Sequence, residues 1–185
     1  MTTAGTSPSP RRRQLLEAAY RYALAHGLAD LSLRPLATAI GSSPRVLLYL
    51  FGSKDGLVRE LLGCARLDEL VLLERLPRGA GLARTATHVW EWLAAEEHRA
   101  LLTLWVEGYA RSLVDPRGPW ADFAATTVRD WLDVLSESQP DPDTPEALAQ
   151  RTRALALLRG ALLDLLATGD TDRVTRAVRA DLSSL

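Results

Sequence analysis

The sequence predicts an all-α protein of about nine helices. Three observations carry that reading. Apolar residues recur at helical spacing along the whole chain, and no stretch alternates apolar with polar residues over the length of a strand. β-Branched residues are sparse beside Leu, Ala and Arg. Clusters of Pro, Gly, Asp and Ser punctuate the periodic stretches at intervals that suit helices, and no internal repeat points to a solenoid.

Taken in order, residues 1–10, rich in Thr, Ser and Pro, predict a disordered tail. A first helix over 11–26 stops at Gly27, a residue type that accepts the left-handed conformation of a C-terminal stop. Ser32 is placed to cap a second helix, with Pro35 in its first turn and Gly41 at its end. Ser43 caps a third helix with Pro44 at the first position, where a missing N–H costs nothing. Gly52 ends that helix, and Ser53 caps a fourth reaching about Leu76. The breaks "PRGAG", "DPRGP", "QPDPDTP" and "TGD" then divide the remainder into helices over 82–97, 99–114, 119–138, 144–168 and 171–183.

A chain of 185 residues that is 47% apolar can bury a sizeable core. No apolar run approaches the ~20 residues of a membrane-spanning helix, and the N-terminus lacks the pattern of a signal peptide, so no membrane partner is expected. The single cysteine, Cys64, cannot form an internal disulfide and suits a reducing cytoplasm, the expected location. The three histidines, 26, 88 and 98, and the one cysteine have no metal-ligand spacing, and the chain has no glycine-rich phosphate loop. Neither a cofactor nor an enzymatic activity is expected, although a carboxylate pair among the many Asp and Glu residues stays open.

The net charge of -1 hides an asymmetry. Residues 1–62 hold eight Lys or Arg against four acids, so the rest of the chain is acidic. Such a division suggests that one end meets a polyanion. In that basic end, two short helices joined by a turn of about four residues follow a first helix, which is the outline of a helix-turn-helix. Leu36, Ala37 and Ile40 give the second helix an apolar face, Gly41 supplies the turn, and Leu47 and Leu50 are spaced to pack back on it.

The motifs "LATAIG" after Ser32, "LLYLF", Phe51 followed by Lys54, and "GLVRELL" make residues 11–62 resemble the DNA-binding domain of the tetracycline-repressor (TetR) family of bacterial transcriptional regulators. Residues 63–185 match that family only in length and helical character. The resemblance implies an N-terminal helix-turn-helix domain over 11–62 and a C-terminal ligand-binding and dimerisation domain over 63–185. With the start of the third helix in a major groove, Ser43, Pro44, Arg45 and Val46 meet base edges, and Arg45 suits a bidentate contact to guanine. Arg34 matches a family position that faces DNA. Ser32, Tyr49 and Lys54 offer phosphate contacts, and Arg11, Arg12 and Arg13 offer an arm along the backbone or into the minor groove. Tyr49 has the alternative of a core ring with only its hydroxyl exposed. Leu48 and Leu50 stand where the family often has aromatic and polar groups, which leaves fewer phosphate contacts. Lys54 is the one lysine in the chain, at a point where a compact ammonium suits a phosphate.

All five Trp residues lie after residue 89, and the resemblance implies an effector pocket among these later helices. Its candidate lining residues are His88, Trp92, Trp105, Tyr109 and Trp131, with plain core as the alternative. Trp90 and Trp92 lie about 200° apart on a helix and face different surroundings. Glu107 and Arg111 are spaced as a helical ion pair. Leu148, Leu155, Leu158, Leu162 and Leu166 form one stripe and Val174 and Val178 another. In this family the last two helices commonly form a two-fold four-helix interface, so these residues are expected at a homodimer contact, the alternative being burial within the subunit. The expected function is a repressor that binds a palindromic DNA operator as a homodimer and is released by a small apolar or aromatic effector. The alternative is a helix-turn-helix adaptor that binds protein without reading DNA.

Overall fold

The computed structural model describes residues 9–28, 31–74, 81–118 and 120–184. The described residues form α1 (Pro10–His26), α2 (Leu33–Ala39), α3 (Pro44–Phe51), α4 (Lys54–Glu74), α5 (Leu82–Leu93), α6 (Arg99–Val114), α7 (Phe123–Ser136), α8 (Pro145–Thr168) and α9 (Thr171–Leu182), with a short 3₁₀ turn over Glu96–His98 and no strand. The all-α expectation holds. None of these helices is long and apolar enough to cross a membrane.

The caps explain most of the boundaries. Ser9 accepts from the Arg12 N–H and Pro10 occupies the first turn, so α1 begins inside the segment expected to be tail; residues 1–8 lie outside the described residues. Ser43 accepts from the Val46 N–H, and Ser53 accepts from the Gly56 N–H at 2.9 Å. Ser32 sits at the N-cap of α2 but its side chain makes no capping bond, which leaves the hydroxyl exposed. Gly41 takes φ +63°, a conformation costly for a residue with a Cβ, and it turns the chain between α2 and α3. Residues 75–80, including the expected end of the fourth helix and most of the "PRGAG" break, are outside the described residues.

Two expected helices are shorter than their patterns. The one over 82–97 stops at Leu93, because Ala95 is extended and the 3₁₀ turn redirects the chain into α6. His98 in that turn stacks on Trp92 with ring centroids 4.0 Å apart. The helix expected from 119 starts at Phe123, after Asp122 takes a left-handed conformation, and the preceding Trp120 is buried in the N-terminal core.

Two apolar clusters result. One gathers Ala19, Leu28, Leu36, Leu47, Phe51, Leu57 and Leu61 from α1 to α4 and the intervening loops. The other gathers residues of α5 to α9, with Trp90 fully buried and its indole N–H donating to the Thr175 hydroxyl at 3.0 Å. The division at 62/63 is not a break in packing, because Leu104 of α6 and Trp120 belong to the N-terminal cluster. Gly108 permits this: a Cβ there would meet Leu62 of α4 at 2.9 Å and Phe123 of α7 at 3.1 Å. The Tyr20 hydroxyl donates to Asp68 at 2.7 Å, joining α1 to α4, and burial together with this bond raises the tyrosine's pKa. At the far end Arg173 donates to both Asp164 oxygens, at 2.6 and 2.8 Å, across the α8–α9 corner, and this bonding holds the Asp164 carboxyl below the usual range.

Candidate functional site

On α3 the buried residues are Leu47 and Phe51, four apart, so the opposite face is turned outward. That face carries Arg45, Val46, Leu48 and Tyr49, with Leu48 42% and Tyr49 86% exposed. The alternative of a core ring for Tyr49 is therefore corrected. Two flanking residues, Leu47 and Phe51, suffice to anchor the helix, and Leu50 packs half-buried against the same cluster. Pro44 is half-buried at the first turn, and Ser43, although exposed, uses its oxygen on the cap. Arg34 on α2 and Lys54 at the start of α4 are exposed beside this face.

The arginine arm divides. Arg11 and Arg13 are exposed, with Arg11 donating to Gln14. Arg12 is corrected: its guanidinium donates to Glu60 at 2.6 Å and to the Leu50 carbonyl at 3.3 Å, and it lies over the Phe51 ring at 5.1 Å. A planar fork satisfied on a carboxylate, a carbonyl and an aromatic face fastens α1 to α3 and α4, and it is not available as an arm.

Among α4, α5, α6, α7 and α8 lies a partly open cavity of about 30 Å³. Its walls include Trp92, Trp105, Trp131, Leu158 and Arg159. Three of the five sequence candidates are thus brought together. Tyr109 is set back from the wall, stacked on Trp105 with centroids 5.1 Å apart and accepting from Arg159 Nη1 at 3.3 Å. His88 is corrected, since its Nδ1 bonds the Arg84 carbonyl on its own helix at 2.8 Å and it does not line the cavity. Arg159 was missed. It stands alone in the apolar run "LALLRGALL", and only the tertiary packing reveals that its guanidinium lies over Trp105 and Tyr109, at 5.9 and 5.1 Å.

Glu107 is a second residue that its spacing misassigned. Rather than pairing with Arg111, it accepts from the Leu28 N–H at 2.8 Å, just beyond α1, across 79 residues of sequence. Its helix, α6, also contributes Leu101, Leu102 and Trp105 to the cavity. One rigid element therefore touches both the cavity and the helix-turn-helix unit.

The expected dimer stripe faces inward. Leu155, Leu158, Leu162, Val174 and Val178 are buried in the chain's own core, Leu166 packs against it, and only Leu148 is exposed. α5 and α7 cover that side of α8, so the burial alternative holds for these residues. The outward side of α8 instead presents Ala149, Thr152, Ala156, Gly160, Leu163 and Ala167 in one line at three- and four-residue spacing. Open space lies where a Cβ on Gly160 would point. Among the described residues no group of His, Cys, Asp and Glu is arranged to hold a metal ion.

Residues 15–61 match the family model described as bacterial regulatory proteins, tetR family. The N-terminal unit is therefore a TetR-type helix-turn-helix domain, as its motifs implied. No curated protein sequence matches the chain. Among solved structures it resembles a transcriptional regulator from Rhodococcus sp. RHA1, 22% identical with a TM-score of 0.79, covering 97% of this chain and 95% of that one. It also resembles GusR of Salmonella enterica, at 21% identity and a TM-score of 0.73 over 98% and 97% of the two chains. A third is the multidrug binding protein EbrR complexed with imidazole, at 23% identity and a TM-score of 0.70 over 98% and 97%. At such identities the likeness is one of fold, and it extends over the whole chain.

Proposed function

We propose that the chain is a ligand-responsive transcriptional regulator that binds an operator as a homodimer and acts as a repressor. The observation that carries this reading is the outward face of α3, where Arg45, Val46 and Tyr49 project from a helix whose other side is fixed to a TetR-type core. In a major groove, Arg45 reads guanine, Arg34, Ser32, Tyr49 and Lys54 hold phosphates, and Arg11 and Arg13 follow the backbone. Leu48 adds an apolar contact there, which suits a thymine methyl group.

One recognition helix reads too few bases, so two half-sites are needed. The reading places a second copy against the outward side of α8, where Ala156 and Gly160 permit close approach, with Ala177 and Ala180 of α9 beside it. Effector release follows from the small volume of the cavity. At about 30 Å³ it is far below the ~300–1,000 Å³ of typical ligand pockets, so a bound molecule must part its walls. Moving α6 then pulls on the Glu107–Leu28 bond and shifts the spacing of the two DNA-binding heads. The EbrR structures with imidazole and with proflavin support a small-molecule site in this fold.

A gel shift on the promoter nearest the protein's own gene, repeated across salt, tests the assignment. Arg45→Ala should weaken binding by about 1–3 kcal/mol and relax the preference for guanine at one symmetric position. Unchanged affinity and unchanged base preference contradict it.

A further inference from the structure

The cavity lies at the seam between the two apolar clusters. Ala65 of α4 is fully buried in the N-terminal cluster and also lines the cavity, whereas Trp131 of α7 lines it from the other cluster. Their neighbours in sequence are paired, with Arg66 Nη2 2.7 Å from Asp130 Oδ2. That Asp130 oxygen is buried and accepts no hydrogen bond of good geometry among the described residues, so the guanidinium charge is what offsets its burial. Successive residues are about 100° apart around a helix, which sets Arg66 and Asp130 beside the apolar lining rather than within it.

α4 packs on α1, α3 and α6 but has little contact with α5, α7 or α8, the helices that complete the cavity. Within the helix-turn-helix unit it is held firmly, by Leu57 and Leu61 in the core, by Arg12 on Glu60 and by Tyr20 on Asp68. α4 is thus one body with α3, and the Arg66–Asp130 pair ties that body to α7 across the seam. We propose that Arg66 and Asp130 act as a latch: paired, they hold α4 against α7 and keep the cavity small, and they separate when an apolar molecule larger than a void of about 30 Å³ parts the two helices. Neither residue lines the cavity; both are positioning residues that set how hard the walls are to part. The latch rests on the regulator reading for its consequence at the operator, while the closure it imposes belongs to the cavity alone. Weakening the pair raises the share of molecules already open and so tightens ligand binding, the opposite of what loss of a wall contact does.

The experiment is fluorescence titration of the full chain with N-phenyl-1-naphthylamine, a neutral apolar probe that suits a lining made mostly of Ala, Val, Leu and Trp side chains. Asp130→Asn removes the charge and keeps the shape; it should bind the probe about tenfold more tightly than wild type. Arg66→Gln should do the same, and Arg66→Lys, which keeps the charge, should stay within about threefold of wild type. Arg173→Gln breaks a comparable ion pair at the α8–α9 corner, away from the cavity, and should leave probe affinity unchanged. Unchanged or weaker binding in a folded Asp130→Asn or Arg66→Gln overturns the proposal, as does an Arg66→Lys variant as tight as Arg66→Gln. Equal tightening in Arg173→Gln marks general loosening and overturns it too, and so does binding of the probe by neither wild type nor the neutral variants. Should one neutral variant fail to fold, the other decides. Operator binding by the same wild-type preparation separates the two levels: its absence defeats the regulator reading, whereas its presence with unchanged probe affinity in the neutral variants defeats only the latch.

Discussion

Along α3 the groups able to meet a partner point outward, with Tyr49 86% exposed, whereas around the cavity the corresponding groups point inward, with Trp105 8% exposed. Both regions are built from short helical repeats of large side chains, and the difference lies in what covers them. α3 is anchored on one side only, through Leu47 and Phe51, and its other side is left to solvent. α5, α6, α7 and α8 turn Trp90, Trp105 and Trp131 inward, with Trp92 and Tyr109 partly buried, around a cavity of about 30 Å³. A rigid outward surface suits a partner of fixed shape such as a DNA groove. A small interior cavity suits a small molecule whose entry rearranges its walls, and α6 is an element that touches both regions.

The largest expected effect comes from the outward face of α8. Ala156→Arg should convert a dimer to a monomer in sedimentation equilibrium and lower operator affinity by about 10²–10⁴-fold, the contribution of a second linked half-site. A variant that stays dimeric shows that the copies meet elsewhere. Next in size are Leu36→Ala and Leu158→Ala, one in each apolar cluster, each costing about 2–5 kcal/mol. Because Leu104 and Trp120 tie the clusters together, both should shift a single cooperative unfolding transition. Two separable transitions in calorimetry break the claim of a shared core.

Glu107→Ala should raise hydrogen exchange at the Leu28 amide by an amount equivalent to about 1–3 kcal/mol, with Glu107→Gln retaining most of the protection because it keeps an acceptor. Equal exchange in all three proteins shows that α6 does not hold the helix-turn-helix unit through this bond. The smallest effects distinguish the neighbouring arginines. Arg13→Ala should reduce the salt slope of operator binding by about one and leave the melting temperature unchanged. Arg12→Ala should lower the melting temperature and leave the slope alone, since its guanidinium is held by Glu60 and Leu50. The reverse pattern restores Arg12 to the arm.

Much of this architecture was legible in the sequence, for identifiable reasons. Ser43 with Pro44, Gly41 and Gly52 fix helix ends by local backbone chemistry, which needs no tertiary information. Local rules fail where a distant residue decides. Trp120 delays the start of α7 because the N-terminal core captures it, and Arg12 leaves a basic triplet because Glu60 lies 48 residues away. The α8 stripe shows the same limit. Periodicity identifies Leu155, Leu158 and Leu162 as one face, but it does not say whether α5 and α7 or a second subunit covers that face. The pairing of Glu107 with Leu28 and the position of Arg159 over Trp105 have no local signal at all.

The central claim is that α3 reads DNA, and selection of bound fragments from genomic DNA tests it most directly, run in parallel with wild type and Arg45→Ala. The account predicts that wild type recovers a palindrome and that Arg45→Ala recovers the same palindrome with guanine no longer preferred at one position in each half. Recovery of no common sequence by wild type, or of an identical sequence by both proteins, contradicts it.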